Sequence, residues 1–251
     1  MADHRIARLS LRCAGMACRY GAMTLFVLGL HAFGGDPAAR AAEGANLVPP
    51  PAAEEAAPLG GALQSVVLAG GCFWGIQAVY QHVEGVHQAV SGYAGGTSAN
   101  PSYEQVSSGR TGHAEAVQVT FDPHKISLGK ILQIFFSVAH DPTQLNRQGP
   151  DFGTQYRSAI FFSDETEKRV AQSYIAQLDR AKAFRRPIVT RIDPLTKFYP
   201  AEAYHQNYAL THPYSPYIVI NDLPKVDNLK QLFSEVYREQ PVTVATAVGK
   251  P

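Results

Sequence analysis

The chain has 251 residues, of which 45% are hydrophobic and 17% charged, so it can form a sizeable folded core and is not a disordered chain. Its formal net charge of +1 offers no basic surplus for a nucleic-acid backbone or an anionic membrane surface, and we expect no nucleic-acid partner. The cysteines, Cys13, Cys18 and Cys72, are too few for a disulfide framework and lack the CxxC spacing of a structural zinc site.

The N-terminal segment has the pattern of an export signal. An arginine-rich stretch precedes an apolar run over residues 22–33, which is about a dozen residues long, whereas a membrane-spanning helix needs roughly 20. An A-x-A cleavage site follows at residues 39–41, so we predict a signal peptide over residues 1–41 and an exported, periplasmic protein without stable membrane insertion. A transit peptide or an uncleaved anchor is the alternative, with an organellar or cytoplasmic protein if the segment is not a secretory signal. Cleavage would leave Cys72 as the only thiol.

Composition divides the rest of the chain. Residues 42–62 are rich in proline and alanine and have too little apolar surface to fold alone, so we predict a tether there. The folded domain is expected over residues 63–240, followed by a tail over 241–251.

The first half of the domain alternates short apolar runs with one helical pattern. Residues 65–69 predict a buried strand that ends at two glycines, and residues 72–80 predict a helix that begins at Cys72. Residues 86–93 and 113–121 predict two further strands. In the second of these, the period of two places Glu115 on the same face as apolar side chains.

The second half is predicted from the same periodicities. Its elements are an amphipathic helix from residue 128 to near His140, a polar loop over 141–156, a strand over 158–162, a helix capped by Asp164, a strand over 187–192, irregular chain to about residue 220 and a helix over 226–237. Strands and helices mixed without strict alternation favour one α/β or α+β domain built as a two-layer sandwich.

Cys72 is the candidate nucleophile. A cysteine at the start of a helix meets free N–H groups and the positive end of the helix dipole, which both favour the thiolate. The alternative is a small buried residue that packs beside its aromatic neighbours. Glycines on both sides, at residues 70, 71 and 75, favour the first interpretation because they indicate a close approach of backbone.

Glu115 is the candidate acid. A carboxyl on an apolar strand face is partly desolvated, which raises its pKa and keeps it protonated near neutral pH, although a solvated charge at a sheet edge is the alternative. Tyr103, Asp151 and Tyr156 lie in polar loops, where the phenols could donate hydrogen bonds to a substrate or be ordinary loop residues. The histidines show no ligand spacing, so we predict no metal site.

Residues 71–75 (GCFWG) resemble the signature of the peptide methionine sulfoxide reductase A family, which restores oxidised methionine. The resemblance continues in order through most of the predicted domain. The matching segments are residues 92–96, 100–103, 112–117, 140–143, 147–149, 153–158 and 198–206.

The resemblance implies a two-layer α/β sandwich related to the ferredoxin-like plait, and reduction of methionine S-sulfoxide, free or in oxidised proteins. We expect a monomer with no bound cofactor. The roles that it implies are Cys72 as nucleophile, Glu115 as acid for the sulfoxide oxygen, Tyr103 and Tyr156 as hydrogen-bond donors to that oxygen, Phe73 and Trp74 as the apolar wall for the substrate methyl, and Asp151 and His205 as further substrate-binding residues.

One feature departs from the family. Many members carry resolving cysteines near the C-terminus, whereas residues 221–251 contain none. The sulfenic acid formed on Cys72 must then be reduced by an external thiol: thioredoxin, a glutaredoxin or glutathione system, or dithiothreitol in vitro. Cys13 or Cys18 could take this role only if the N-terminal segment is retained.

Two other functions stay open on the residues alone. The first is a thiol hydrolase or acyltransferase that uses Cys72 and Glu115, which would need a base for the thiol, and no Cys-His-Asn series is evident. The second is a non-catalytic peptide-binding or redox-sensing module in which Cys72 is merely oxidisable.

Overall fold

The described residues form a six-stranded mixed sheet with helices packed on one face. The computed structural model describes residues 45–52 and 61–245, so the predicted signal peptide over residues 1–41 lies outside the described residues. The strands are β1 (Gln64–Ala69), β2 (Val86–Ala94), β3 (Ala114–Phe121), β4 (Arg147–Gln148), β5 (Asp151–Phe152), β6 (Ala159–Phe162), β7 (Arg191–Pro194) and β8 (Phe198–Pro200). The α-helices are α1 (Phe73–Gln81), α2 (Tyr103–Ser107), α3 (Leu128–Ile134), α4 (Glu165–Arg180), α5 (Tyr208–Thr211) and α6 (Leu223–Leu232).

The strand order places β1 and β3 at the centre of the sheet, in the sequence β7-β6-β1-β3-β2-β8. All pairs are antiparallel except β6 with β7, which is parallel. Strands β4 and β5 form a separate two-stranded ribbon. Helix α1 therefore follows one central strand, β1, and Glu115 lies on the strand paired with it, β3.

The core lies between the sheet and helices α1, α3 and α4. It joins Val66 and Leu68 of β1 and Val117 of β3 to large side chains such as Tyr80 and Phe135. The opposite sheet face is lined mainly by small residues, chiefly alanines, with Leu195 and Phe198 packed on it. This arrangement confirms the predicted two-layer sandwich.

The helix predicted to be amphipathic is instead buried on nearly every side. Helix α3 runs on into a π-helical turn, Phe135–Ala139, whose residues are all buried. Its outer side is covered by residues 45–52, within the predicted tether. Gln133 Nε2 donates to the carbonyl oxygen of Val48 at 2.9 Å, and the Val48 side chain is itself buried. The predicted tether gives no position for residues 45–52, which in the structure contact the domain through the buried Val48 and through hydrogen bonds of its backbone.

The C-terminal third contains more regular structure than the sequence predicts. The strand expected at 187–192 is Arg191–Pro194, and the chain expected to be irregular includes β8, α5 and a π-helical turn, Ile218–Asp222. The final helix is Leu223–Leu232 rather than 226–237. It ends early because the following residues turn back onto the end of α1, where the Glu84 N–H donates to the Val236 carbonyl at 2.7 Å. Within the described ranges, no helix is long and apolar enough to cross a membrane.

Candidate active site

Cys72 stands at the junction between β1 and α1. It is the residue immediately before the helix, and its side chain makes no capping hydrogen bond. The preceding Gly71 has φ of +99°, and a Cβ there would lie 2.6 Å from the Gln148 side chain. Glycine is needed at that position because a larger residue would be strained and would collide with the β4 side chain that lines the thiol's surroundings.

Glu115 lies on β3 directly beneath the start of the same helix. It is 1% exposed, and its Oε2 accepts a hydrogen bond from the Phe73 backbone N–H at 3.1 Å. Burial raises the pKa of this carboxyl to about 8, the Phe73 hydrogen bond opposes the rise, and Asp151 and Asp222 add to it. The sequence prediction of a desolvated, protonated carboxyl agrees with this geometry.

The Cys72 thiol faces a small cavity of about 30 Å³. Its lining residues come from the β4–β5 ribbon and from the C-terminal helical segment: Gln148, Gly149, Pro150, Asp151, Tyr217, Asn221 and Lys225. Cys72 as a whole is only 8% exposed. A cavity of this size has room for a small group about the size of a water molecule.

The pKa of Cys72 moves in the direction opposite to the sequence prediction. Burial raises it well above the ordinary thiol value, negative charge on Glu115 and Asp222 raises it further, and the nearby Trp74 backbone N–H lowers it. The helix N-terminus does supply a stabilising N–H group, as predicted. Desolvation outweighs that group because the thiol is almost fully buried.

The two predicted phenols face the same pair of groups. Tyr103 and Tyr156 both interact electrostatically with Glu115 and with Cys72. Burial raises the pKa of each phenol, so both keep their protons over the physiological range. Two protonated phenols and a protonated carboxyl thus lie within electrostatic range of the thiol, although none of the three lines the Cys72 cavity.

The aromatic residues beside Cys72 differ in accessibility. Phe73 is fully buried among Tyr93, Tyr103 and His205, whereas Trp74 is partly exposed and stacks on Tyr208 at a centroid distance of 3.8 Å. Trp74 therefore provides the accessible apolar surface, and the buried Phe73 ring packs against the indole ring.

His205 and Asp151 hold their neighbours in place. His205 is 2% exposed, and its Nδ1 accepts a hydrogen bond from Trp74 Nε1 at 3.2 Å, so it orients the indole ring from behind. Asp151 lies at the cavity and accepts a short hydrogen bond from the Tyr217 hydroxyl. Burial raises the Asp151 pKa, against the opposing effects of Tyr217 and Lys225.

Sequence reasoning missed two groups of residues at this site. Glu202 accepts hydrogen bonds from the Tyr93 hydroxyl at 2.8 Å and from the Tyr103 backbone N–H at 2.9 Å, and so fixes the start of helix α2. The C-terminal segment contributes Tyr217 and Lys225 to the cavity wall. Glu202 lies in a motif that resembles the family, but nothing in the local pattern of residues 217–225 indicates their position.

No group of three or more histidine, cysteine or acidic side chains is placed to hold a metal ion in the part of the chain that the structure describes.

The hydrolase alternative needs a base beside the thiol. His205 is turned toward Trp74, and the buried His140 is bonded to the Ser158 hydroxyl and the Phe135 carbonyl. Neither histidine lines the Cys72 cavity.

Comparisons with known proteins agree with the geometry. The chain is 58% identical over 194 residues to a peptide methionine sulfoxide reductase MsrA 2 of Mesorhizobium japonicum, an alignment that covers 77% of this chain and 98% of the relative. It is 48% identical over 177 residues to an MsrA 2 of Synechocystis, covering 70% of this chain and 83% of the relative.

Two solved structures are similar at 34% sequence identity. Mxr1 of Saccharomyces cerevisiae in reduced form has a TM-score of 0.55, with 61% of this chain and 87% of that chain covered. Methionine sulfoxide reductase A of Corynebacterium diphtheriae has a TM-score of 0.53, with coverages of 62% and 78%. The sequence profile of the peptide methionine sulfoxide reductase family matches residues 64–237, and the chain belongs to that family.

Proposed function

We propose that this chain reduces the S epimer of methionine sulfoxide, free or in oxidised proteins, and thereby repairs oxidised proteins. Family membership supports the reaction, and the S epimer follows because each epimer has its own class of reductase. The observation that carries the proposal is a buried thiol at the start of the helix whose Phe73 N–H binds a carboxyl with a pKa raised to about 8, with two phenols in electrostatic range of both groups.

The chemistry requires an acid as well as a nucleophile. A sulfoxide sulfur is a poor electrophile until its oxygen is protonated or hydrogen bonded. Glu115 is protonated below pH 8 and can give its proton to the oxygen, while Tyr103 and Tyr156 donate hydrogen bonds to it. As the S–O bond weakens, the Cys72 sulfur attacks the substrate sulfur, and the proton that leaves the thiol restores the Glu115 acid. In balance, the sulfoxide and the Cys72 thiol become methionine and a Cys72 sulfenic acid.

The substrate methyl needs an apolar surface on the other side of the sulfur. Trp74 provides the partly exposed ring, with Phe73 and His205 packed around it at 6.4 Å and 5.8 Å between ring centroids. Asp151, bonded to Tyr217, lines the thiol cavity. We propose that these residues orient the sulfoxide so that its oxygen points toward Glu115. Because one chain supplies all of them, a monomer suffices.

Regeneration is proposed to use an external thiol. Cys72 is the cysteine present in the described residues, and Cys13 and Cys18 lie outside them. The sulfenic acid and a first thiol form a mixed disulfide and water, and a second thiol then releases Cys72 as thiol with a new disulfide. A thioredoxin-like protein or a glutathione-based system fits this requirement, and no bound cofactor is needed for it.

Single-turnover stoichiometry tests this reaction. Pre-reduced protein mixed with methionine S-sulfoxide and no added thiol is expected to release one equivalent of methionine, and further turnover should begin when dithiothreitol or glutathione is added. The R epimer should give far less product. Methionine release by the Cys72→Ser variant, or repeated turnover without thiol, would contradict the mechanism.

The role of Glu115 is tested by pH and by two substitutions. The single-turnover rate of the wild type, divided by that of Glu115→Gln at the same pH, should fall as pH rises through about 8, because the carboxyl then loses the proton it must donate. Division by the variant rate cancels the rise that comes from ionisation of the Cys72 thiol. Glu115→Ala should lose about 10²–10⁴-fold in rate. Glu115→Gln should lose less, through its amide donor. Glu104→Gln, at an exposed glutamate of helix α2, is the matched control. Equal rates in all of the proteins would remove Glu115 from the mechanism.

We also propose that the protein is exported to the periplasm after removal of residues 1–41, as the N-terminal arginines, the apolar run and the A-x-A site indicate. Mass spectrometry of the protein recovered from the periplasm of cells that express the full chain should find an N-terminus near residue 42 and one cysteine. An intact N-terminus that retains Cys13 and Cys18, or recovery only from the cytoplasm, would contradict export.

A further inference from the structure

A second cavity, which we call the basic pocket, lies beside the cavity of the Cys72 thiol, and no step described above uses it. Its volume is about 400 Å³, within the range of sites that bind small molecules. Its lining comes from Asn46, the π-helical turn Phe135–Ala139, the loop after that turn, residues 183–186 and Lys225. Lys225 also lines the thiol cavity, so the two cavities share a wall.

Two glycines before the thiol bring the walls of the two cavities together. A Cβ on Gly70 would lie 2.8 Å from the ring of His140, which lines the basic pocket. A Cβ on Gly71 would lie 2.6 Å from the side chain of Gln148, which lines the thiol cavity. The Gln148 amide is bonded to the backbone N–H and carbonyl of Asp141, a residue of the basic pocket, at 3.0 and 3.1 Å. A single side chain thus reaches from a residue of the basic pocket to the thiol cavity.

The basic pocket has a surplus of positive charge. Arg185, Arg186 and Lys225 line it, and Asp141 is the acidic residue among the described residues of its lining. Arg186 Nη2 lies 3.3 Å from Asp141 Oδ2, and Lys225 Nζ lies 3.4 Å from Asp222 Oδ1. The exposed Arg185 side chain has no hydrogen-bond or ion-pair partner among the described residues. Its guanidinium is therefore available to an anion, and guanidinium groups bind carboxylates through paired hydrogen bonds.

The rest of the lining is uncharged. Burial lowers the pKa of His140 to about 3, and its ring nitrogens are bonded to the Phe135 carbonyl and the Ser158 hydroxyl, so this histidine is neutral. The other lining side chains are apolar or neutral and polar, and include Phe136, Val138, Phe184, Asn46, Ser137 and Thr143. A lining that combines arginines with apolar and amide groups fits an organic molecule with carboxylates better than an inorganic anion.

The proposed regeneration of Cys72 needs a thiol that comes from outside. Cys72 is the only cysteine among the described residues, and it is 8% exposed in a cavity of about 30 Å³. The reductant must therefore insert a narrow thiol-bearing arm while the rest of the molecule stays outside that cavity. Small biological thiols join such an arm to one or more carboxylates. The basic pocket lies where those carboxylates would be held.

We propose that the basic pocket binds the carboxylates of a small anionic thiol, such as glutathione, that reduces the Cys72 sulfenic acid. The sulfur of the thiol attacks the Cys72 sulfur, the S–O bond breaks, and the oxygen leaves as water with the thiol proton, which gives a mixed disulfide. A second molecule of the thiol attacks the sulfur of the first. Cys72 leaves and takes up the released proton, and the two small thiols are joined in a disulfide. The inference rests on the proposed function in that a sulfenic acid forms on Cys72.

Binding is measured with S-methylglutathione, which has the carboxylates of glutathione and no free thiol. Titration calorimetry on the reduced protein should show one site, and the double variant Arg185→Gln, Arg186→Gln should bind about tenfold more weakly, because two charged donors are lost. Arg185→Gln alone breaks no contact in the free protein and should show part of this loss. Arg169→Gln with Arg180→Gln, at exposed arginines of helix α4, makes the same change in net charge and should bind as the wild type does.

Reduction of the sulfenic acid gives a second measurement. The acid is formed by one turnover with methionine S-sulfoxide, and its loss after addition of a thiol is followed by dimedone trapping and mass spectrometry. The rate with glutathione should saturate, and half-saturation should need about tenfold more glutathione in the Arg185→Gln, Arg186→Gln variant. The rates with dithiothreitol and with glutathione diethyl ester, whose carboxylates are neutral, should be equal in wild type and variant.

Absence of S-methylglutathione binding, or equal affinities in the pocket variants and the control variant, would overturn the inference. An equal loss of rate with dithiothreitol, or reduction by a thioredoxin with no saturable reduction by glutathione, would also overturn it. The binding measurement uses no sulfoxide, so its outcome does not depend on the proposed function. Failure to release methionine from the sulfoxide, with binding and its loss in the variants intact, would contradict the proposed function alone.

Discussion

The hydrogen bond from the Phe73 backbone N–H to the Glu115 carboxyl is the contact on which the site depends. It joins the first turn of helix α1 to the central strand β3 at a point where both groups are buried. A carboxylate in such a place would carry a large desolvation cost, so the carboxyl is held in its neutral form until about pH 8. The same geometry that fixes the helix to the sheet therefore keeps a proton beside the thiol.

Both reacting groups are protonated at rest, which makes the chemistry dependent on the substrate. The thiolate gains little from the helix N-terminus, because burial outweighs the effect of the nearby Trp74 backbone N–H on the thiol pKa. Attack becomes favourable only when a sulfoxide oxygen accepts the Glu115 proton and the sulfur becomes electrophilic. This coupling makes the Cys72 thiol selective for sulfoxides. An oxidant whose oxygen does not reach Glu115 meets a protonated, poorly reactive thiol.

The local part of the site could be predicted from the sequence and the long-range part could not. An apolar run, two glycines and a helical pattern place Cys72 at a helix start, and the period of two places Glu115 on the buried face of β3. The opposite sign of the thiol pKa depends on burial by the β4–β5 ribbon and the C-terminal segment. Those segments are short and polar, and their positions are set by contacts such as Tyr217 with Asp151, which join residues far apart in the chain. The position of residues 45–52 could not be predicted for the same reason, because their contacts are with residues such as Gln133 and Tyr174, far away in the chain.

The protonation state of Glu115 is the central claim, and it can be observed directly. A nuclear magnetic resonance titration of the Glu115 side-chain carboxyl carbon in the free protein, assigned by comparison with Glu115→Gln, reports the midpoint without substrate or turnover. The structure predicts a midpoint near 8. A midpoint in the ordinary glutamate range, near 4.5, would show that the carboxyl is ionised at neutral pH and would contradict its role as the acid.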